Sequence, residues 1–147
     1  MEIFQNRILI TVIAAWAIAQ VTKTIIYYLL NGKFDPSRLT GDGGMPSCHS
    51  ATVTSCATAA AMVYGLNSFE FTIAAVLAII VMHDAMSVRL ESGKQAKAIN
   101  DLRKYFEDLT HIKITDKELK ELLGHTPLQV VAGALLGLIV ALVSFSI

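Results

Sequence analysis

Three short stretches hold side chains whose types and spacing could do chemistry. Gly41-Asp42-Gly43-Gly44-Met45-Pro46-Ser47-Cys48-His49-Ser50 is a glycine-rich turn running into the start of an apolar helix. Backbone amides at a helix start are unpaired and point outward, the helix dipole favours anions there, and glycines such as Gly43 and Gly44 let a phosphate come close. A flexible turn with Ser47 as a plain helix cap accounts for the same glycines. His49 shifts the reading toward an oxyanion site, because a histidine in that first turn can hydrogen-bond a phosphate or give a proton to a leaving oxygen. His83-Asp84-Ala85-Met86-Ser87-Val88-Arg89 closes a later apolar stretch. An aspartate at the end of such a helix is costly unless it is paired or faces a polar cavity, which makes Asp84 a site candidate and Arg89 a candidate partner. A salt bridge that only ends the helix is the plainer alternative. Lys23 lies within the first apolar stretch and is read the same way, with snorkelling to the interface as its alternative. Gly124-His125-Thr126-Pro127 opens the last apolar stretch, so His125 sits at a helix mouth as His49 does.

Four elements must position these residues. A spanning helix needs roughly 20 mainly apolar residues. Four stretches come close: Ile8 to Leu30, Ser50 to Leu66, Phe69 to Met86 and Leu128 to Ile147. The second is short and rich in Ala, Ser and Thr, a poor surface for lipid but a good one for close packing, so it is expected at the centre of the bundle. Gly133 and Gly137 form a GxxxG pair on the last helix. Between the third and fourth spans, Ala96, Ile99, Leu102, Tyr105, Phe106 and Leu109 recur at helical spacing and predict an amphipathic helix on the membrane or under the bundle. A second short helix is expected after it, with Thr115 and Glu118 as a capping box, Leu119, Leu122 and Leu123 as its apolar face and Gly124 as its stop. Thr126-Pro127 has the form of a cap and first-turn proline for the last helix.

Composition agrees with the bilayer as solvent. The 147 residues have room for a single domain, 1–147, and are 54% hydrophobic but only 16% charged. The first apolar stretch lacks the pattern of a cleaved signal and reads as a retained helix. Net charge is zero, with no basic stripe interleaved with aromatics, so no nucleic-acid partner is expected. Neither CxxC nor histidine-rich spacing surrounds Cys48 and Cys56, so the sequence suggests neither a disulfide framework nor a metal site. Lysine and arginine concentrate in the Asn31 to His49 and Ser87 to Thr126 loops, which share one face in a four-span topology. The positive-inside tendency puts that face, and the candidate site, in the cytoplasm, with Arg7 as the mild exception.

At these residues the chain resembles the type 2 phosphatidic acid phosphatase family, whose fold is shared with acid phosphatases and vanadium-dependent haloperoxidases. Pro46-Ser47-Cys48-His49 is similar to the family's Pro-Ser-Gly-His motif, and His125 to Gly137 is similar to its His-x-x-x-Asp-Val-x-Ala-Gly ending. Gly43-Gly44-Met45-Pro46-Ser47, Asp84-Ala85 with Val88-Arg89, Gly93-Lys94-Gln95-Ala96, Asn100 and Gly124-His125-Thr126-Pro127 resemble its divergent membrane branch, found in bacteria and plants. The resemblance implies an all-α polytopic membrane bundle in a bacterial cytoplasmic membrane. It implies His125 as the nucleophile that forms a phosphohistidine and His49 as the acid assisting the leaving alcohol. Lys23, Arg89 and the amides of Ser47 and Cys48 would hold phosphate oxygens, and no cofactor or metal is needed.

The chain departs from the pattern in five ways, one being that no Lys-x-x-x-x-x-x-Arg-Pro motif is present. The aspartate four residues after the nucleophile is Gln129, and Asp84 is the proposed substitute. Leu119 stands six residues before His125 where an arginine is expected, Arg89 being the proposed replacement, and Cys48 replaces a glycine. Four spans against the usual six-helix core suggest that a homodimer completes the bundle. The leading expectation is hydrolysis of a lipid phosphomonoester or diphosphate, such as phosphatidate, phosphatidylglycerol phosphate or a polyprenyl diphosphate. The alternative, from a different class, is a catalytically degenerate membrane protein that binds anionic head groups or a protein partner. A small transporter subunit is a third reading, with only Lys23 and Asp84 in its favour.

Overall fold

A computed structural model describes residues 5–34, 36, 44–113, 115, 117–119 and 124–146, apart from the side chain of Arg89. Among them are five helices: α1 (Arg7–Asn31), α2 (Cys48–Tyr64), α3 (Phe69–Met86), α4 (Val88–Thr110) and α5 (Pro127–Ser146). There is no strand among the described residues.

Local chemistry sets the helix ends. Asn6 Oδ1 accepts from Leu9 N at 3.0 Å to start α1, and Gly32 stops it in the left-handed region with its N–H on Tyr28 O. Ser68 caps α3 by accepting from Phe71 N at 3.1 Å. At α5, Thr126 Oγ1 accepts from Gln129 N at 3.4 Å ahead of the first-turn Pro127.

α2 packs against α1, α3 and α5, which makes it the centre of the bundle. Its buried positions are mostly small: Cys48, Ser50, Ala51, Ser55, Ala59 and Ala60, with Val53 the largest. The helices around it answer with small stripes of their own, Thr11, Ala15 and Ala19 on α1, Ala74 and Ala78 on α3, and Gly133, Gly137 and Ala141 on α5. Large apolar side chains such as Leu29, Ile79 and Leu135 point outward instead. This inside-out arrangement suits a hydrocarbon solvent, where close backbone approach rather than expulsion of water drives helix association. Gly133 and Gly137 take it furthest, because a Cβ on either would run into the carbonyl of Ser47 or Ala51. Among the described residues, three helices are long and apolar enough to cross a membrane, namely α1, α5 and the run Phe69–Thr110, whose apolar part is α3. α2, with 17 residues, is the short fourth member.

The helix expected from Thr115 onward does not form in the residues described there. Asn100 Nδ2 donates to Leu119 O at 2.9 Å while Leu119 N donates to Asn100 Oδ1 at 3.0 Å. Arg103 Nη1 takes the carbonyls of Thr115 and Lys117 at 3.2 and 3.0 Å, and its Nη2 pairs with Glu118 at 3.3 Å. α4 thus satisfies the backbone groups that a short helix would have satisfied internally. Thr115 Oγ1 does accept a cap-like bond, but from Lys117 N rather than from residue 118. Leu122 and Leu123 lie outside the described residues.

Candidate active site at one end of the bundle

Two backbone bonds tie three distant parts of the chain together. Ser47 N–H donates to Gln129 O at 3.0 Å, joining the start of α2 to the first turn of α5. His125 N–H donates to Ala85 O at 3.0 Å, joining the entry to α5 to the last turn of α3. His49 and His125 consequently face each other with ring centroids 6.3 Å apart and planes tilted by 59°. His125 is buried and His49 half-buried.

The tautomer of His125 follows from its neighbours. Gln129 Oε1 lies 3.1 Å from His125 Nδ1 and also accepts from Thr126 N at 3.1 Å. Since the backbone N–H of Thr126 can only donate, the amide must present its oxygen here, and Nδ1 must carry the proton. The lone pair then resides on Nε2, as a nucleophilic imidazole requires. Gln129, four residues on in the first turn of α5, thereby holds the Nδ1 side of His125. It is this amide that lies beside Nδ1. Asp84 is half-buried at the end of α3, one residue from the carbonyl that holds His125.

Lys23 enters the same region from α1. It is 2% exposed, not snorkelled, and its Nζ lies 4.0 Å from Cys48 Sγ, which is itself 3.9 Å from His49 Nδ1. Gly44, at φ +85°, lets the loop pass over the lysine stem, because a Cβ there would come within 3.0 Å of Lys23 Cδ. Lys23, Cys48, His49, His125 and Gln129 form a continuous chain of neighbours. Ser47 departs from the expected role. Its amide is committed to Gln129 O, and its hydroxyl accepts from Ser50 N and Ser50 Oγ at 3.3 and 3.0 Å, so this fully buried residue clamps α2 to α5 rather than cradling phosphate. Cys48 contributes a buried thiol at the first helical position. Arg89 belongs to the first turn of α4, with its side chain outside the described residues, as is the whole of Gly43.

A pocket of about 260 Å³ opens beside this cluster, with Tyr27, Asn31 and Gln129 among its lining residues together with Lys23 and Gly44. Tyr27 and Asn31 are not among the residues the sequence motifs point to. The signal was there as spacing, since Gln20, Lys23, Tyr27 and Asn31 recur at intervals of three and four along an apolar helix. Gln20 is 6% exposed, and its Oε1 has no hydrogen-bond partner among the described residues.

The sequence pattern of the Divergent PAP2 family matches residues 4–140. The chain belongs to that family. It is also 40% identical to the uncharacterized membrane protein YuiD of Bacillus subtilis (strain 168), over 97% of this chain and 96% of that protein. No solved structure matches it. With such a relative and three apolar helices of spanning length, the chain is an integral membrane protein related to the type 2 phosphatidic acid phosphatases.

Proposed function

We propose that the protein is a lipid phosphatase working through a phosphohistidine. The observation that carries this reading is the opposed histidine pair, 6.3 Å apart, in which Gln129 Oε1 holds the Nδ1 proton of His125. Nε2 of His125 attacks phosphorus, the N–P bond forms and the bond from phosphorus to the leaving oxygen breaks. His49, as imidazolium, gives that oxygen its proton. Water then attacks phosphorus, returning a proton to His49, and the N–P bond breaks to release inorganic phosphate. The Lys23 ammonium supplies positive charge where the phosphoryl oxygens gather it, and the Arg89 guanidinium is proposed to join it. A phosphate at a membrane-embedded helix mouth suits phosphatidate, phosphatidylglycerol phosphate or a polyprenyl diphosphate.

The test is phosphate release by purified protein from a panel of these lipids with a metal chelator present. Release is expected in wild type and should vanish in His125→Ala, with a radiolabelled phosphoprotein trapped in wild type alone. Undiminished release by His125→Ala would overturn the histidine mechanism. One observation favours a second reading. The Ser47 amide is taken by Gln129 O, so the cradle has one donor fewer than the family pattern implies. No turnover by wild type across the panel, with phosphate still bound, would make the site an anion-binding one.

A further inference from the structure

We infer that the groove between α3 and α5 seats a hydrocarbon chain of the lipid whose phosphate lies at the histidine pair. This rests on the phosphatase reading and extends it from head group to tail. The groove holds about 430 Å³ and includes Met82, Met86, Pro127, Val131, Leu135 and Leu138 in its walls. It starts at the site itself: Met86 follows Ala85, whose carbonyl holds the His125 amide, and Pro127 is two residues beyond His125. From there it runs along α5. Pro127 to Leu138 covers about 16 Å at the helical rise of ~1.5 Å per residue, close to half of a hydrocarbon core about 30 Å thick. The groove therefore has about the length of one leaflet's hydrocarbon depth.

Its chemistry selects a chain rather than a polar group. The one hydroxyl in its wall, on Thr54, is directed to Met82 Sδ at 4.0 Å, which leaves hydrocarbon and thioether lining the space. Two methionines give the wall a surface that re-forms around a bent chain. Two other clefts among the described residues fit this role less well. The 260 Å³ pocket on the α1 side is smaller and carries Lys23, Tyr27, Asn31 and Gln129, which suits it to head-group atoms. A third cleft of about 370 Å³, lined by Ile8, Tyr64, Phe69 and Glu70 among others, lies at the opposite end of the bundle from the histidines.

Ala134→Trp fills the groove and Ile26→Trp fills the α1-side pocket; each is assayed on long-chain phosphatidate in nanodiscs and on a short-chain, water-soluble phosphatidate. Ala134→Trp should lower kcat/KM for the long-chain lipid by about tenfold or more, as expected when a packed apolar subsite is lost, and leave the short-chain rate unchanged. An equal fall for both lipids, or a chain-dependent fall from Ile26→Trp alone, overturns the assignment. A second measurement does not need turnover. Phosphatidate carrying a photoreactive group in its chain should label Met82, Met86 and Leu135 more strongly than diacylglycerol with the same chains. Equal labelling overturns the inference even if wild type hydrolyses nothing, whereas absence of hydrolysis with selective labelling sinks only the phosphatase reading.

Discussion

Gln129 stands where the family pattern has an aspartate, and the exchange alters how the nucleophile is supported. A carboxylate would both hold the Nδ1 proton and stabilise the imidazolium formed on attack; an amide oxygen does the first and little of the second. Holding the tautomer is still essential, so Gln129→Ala should lower kcat by about a hundredfold, the scale of a general acid–base contribution, and by more than Asp84→Asn does. Steady-state kinetics on both variants decides it, and a larger loss from Asp84→Asn would return the orienting role to Asp84. The pairing of His125 with Gln129 was open to sequence reasoning, because it is a local contact within one helix turn. The Ser47 amide was not, since the carbonyl that claims it belongs to a residue more than eighty positions away. Long-range backbone bonds leave no mark in composition or spacing, and this is why Ser47 read as a phosphate ligand.

At the scale of elements, the glycine pair of α5 is the most exacting contact in the bundle. Gly133→Ala and Gly137→Ala each aim a methyl group at a backbone carbonyl of α2, which cannot rotate away. Each should destabilise the protein by about 1–3 kcal/mol, the usual cost of overpacking. Gly133→Ala should also separate the two histidine motifs and reduce activity beyond what the loss of folded protein explains. Thermal unfolding in detergent, with activity scaled to folded protein, checks both. Apolar length predicted α1, α3 and α5 to within a few residues, and small-residue content predicted the central place of α2. Among the described residues, the departure is the start of the helix expected after Thr115, where the capping box gives way to bonds from side chains of α4. Asn100 and Arg103 lie 19 and 12 residues from Leu119 and Thr115, too far for any local pattern to register.

For the whole molecule, the charge distribution makes a claim about sidedness. The residues from Ser87 to Thr126 carry eight lysines and arginines, and they leave the bundle at the histidine end. Arg7, at the other end, counts for less than its charge. Its Nη2 donates to Ser144 O at 2.6 Å and its guanidinium lies 4.8 Å over the Phe145 ring, so the negative end of the α5 dipole partly offsets it. A cysteine introduced at the exposed Lys113 should therefore react with an impermeant reagent only after cells are permeabilised. Labelling in intact cells would invert the topology and place the candidate site outside. The same Arg7 to Ser144 contact, reinforced by Thr11 Oγ1 at 2.8 Å from Ser144 Oγ, sets the first turn of α1 beside the last turn of α5. It also has a practical use. Complementary halves of a split fluorescent protein, fused one to each end of the chain, should reassemble on a single molecule and glow in one compartment, away from the histidines. Reporter and handle can then be attached together without obstructing the site.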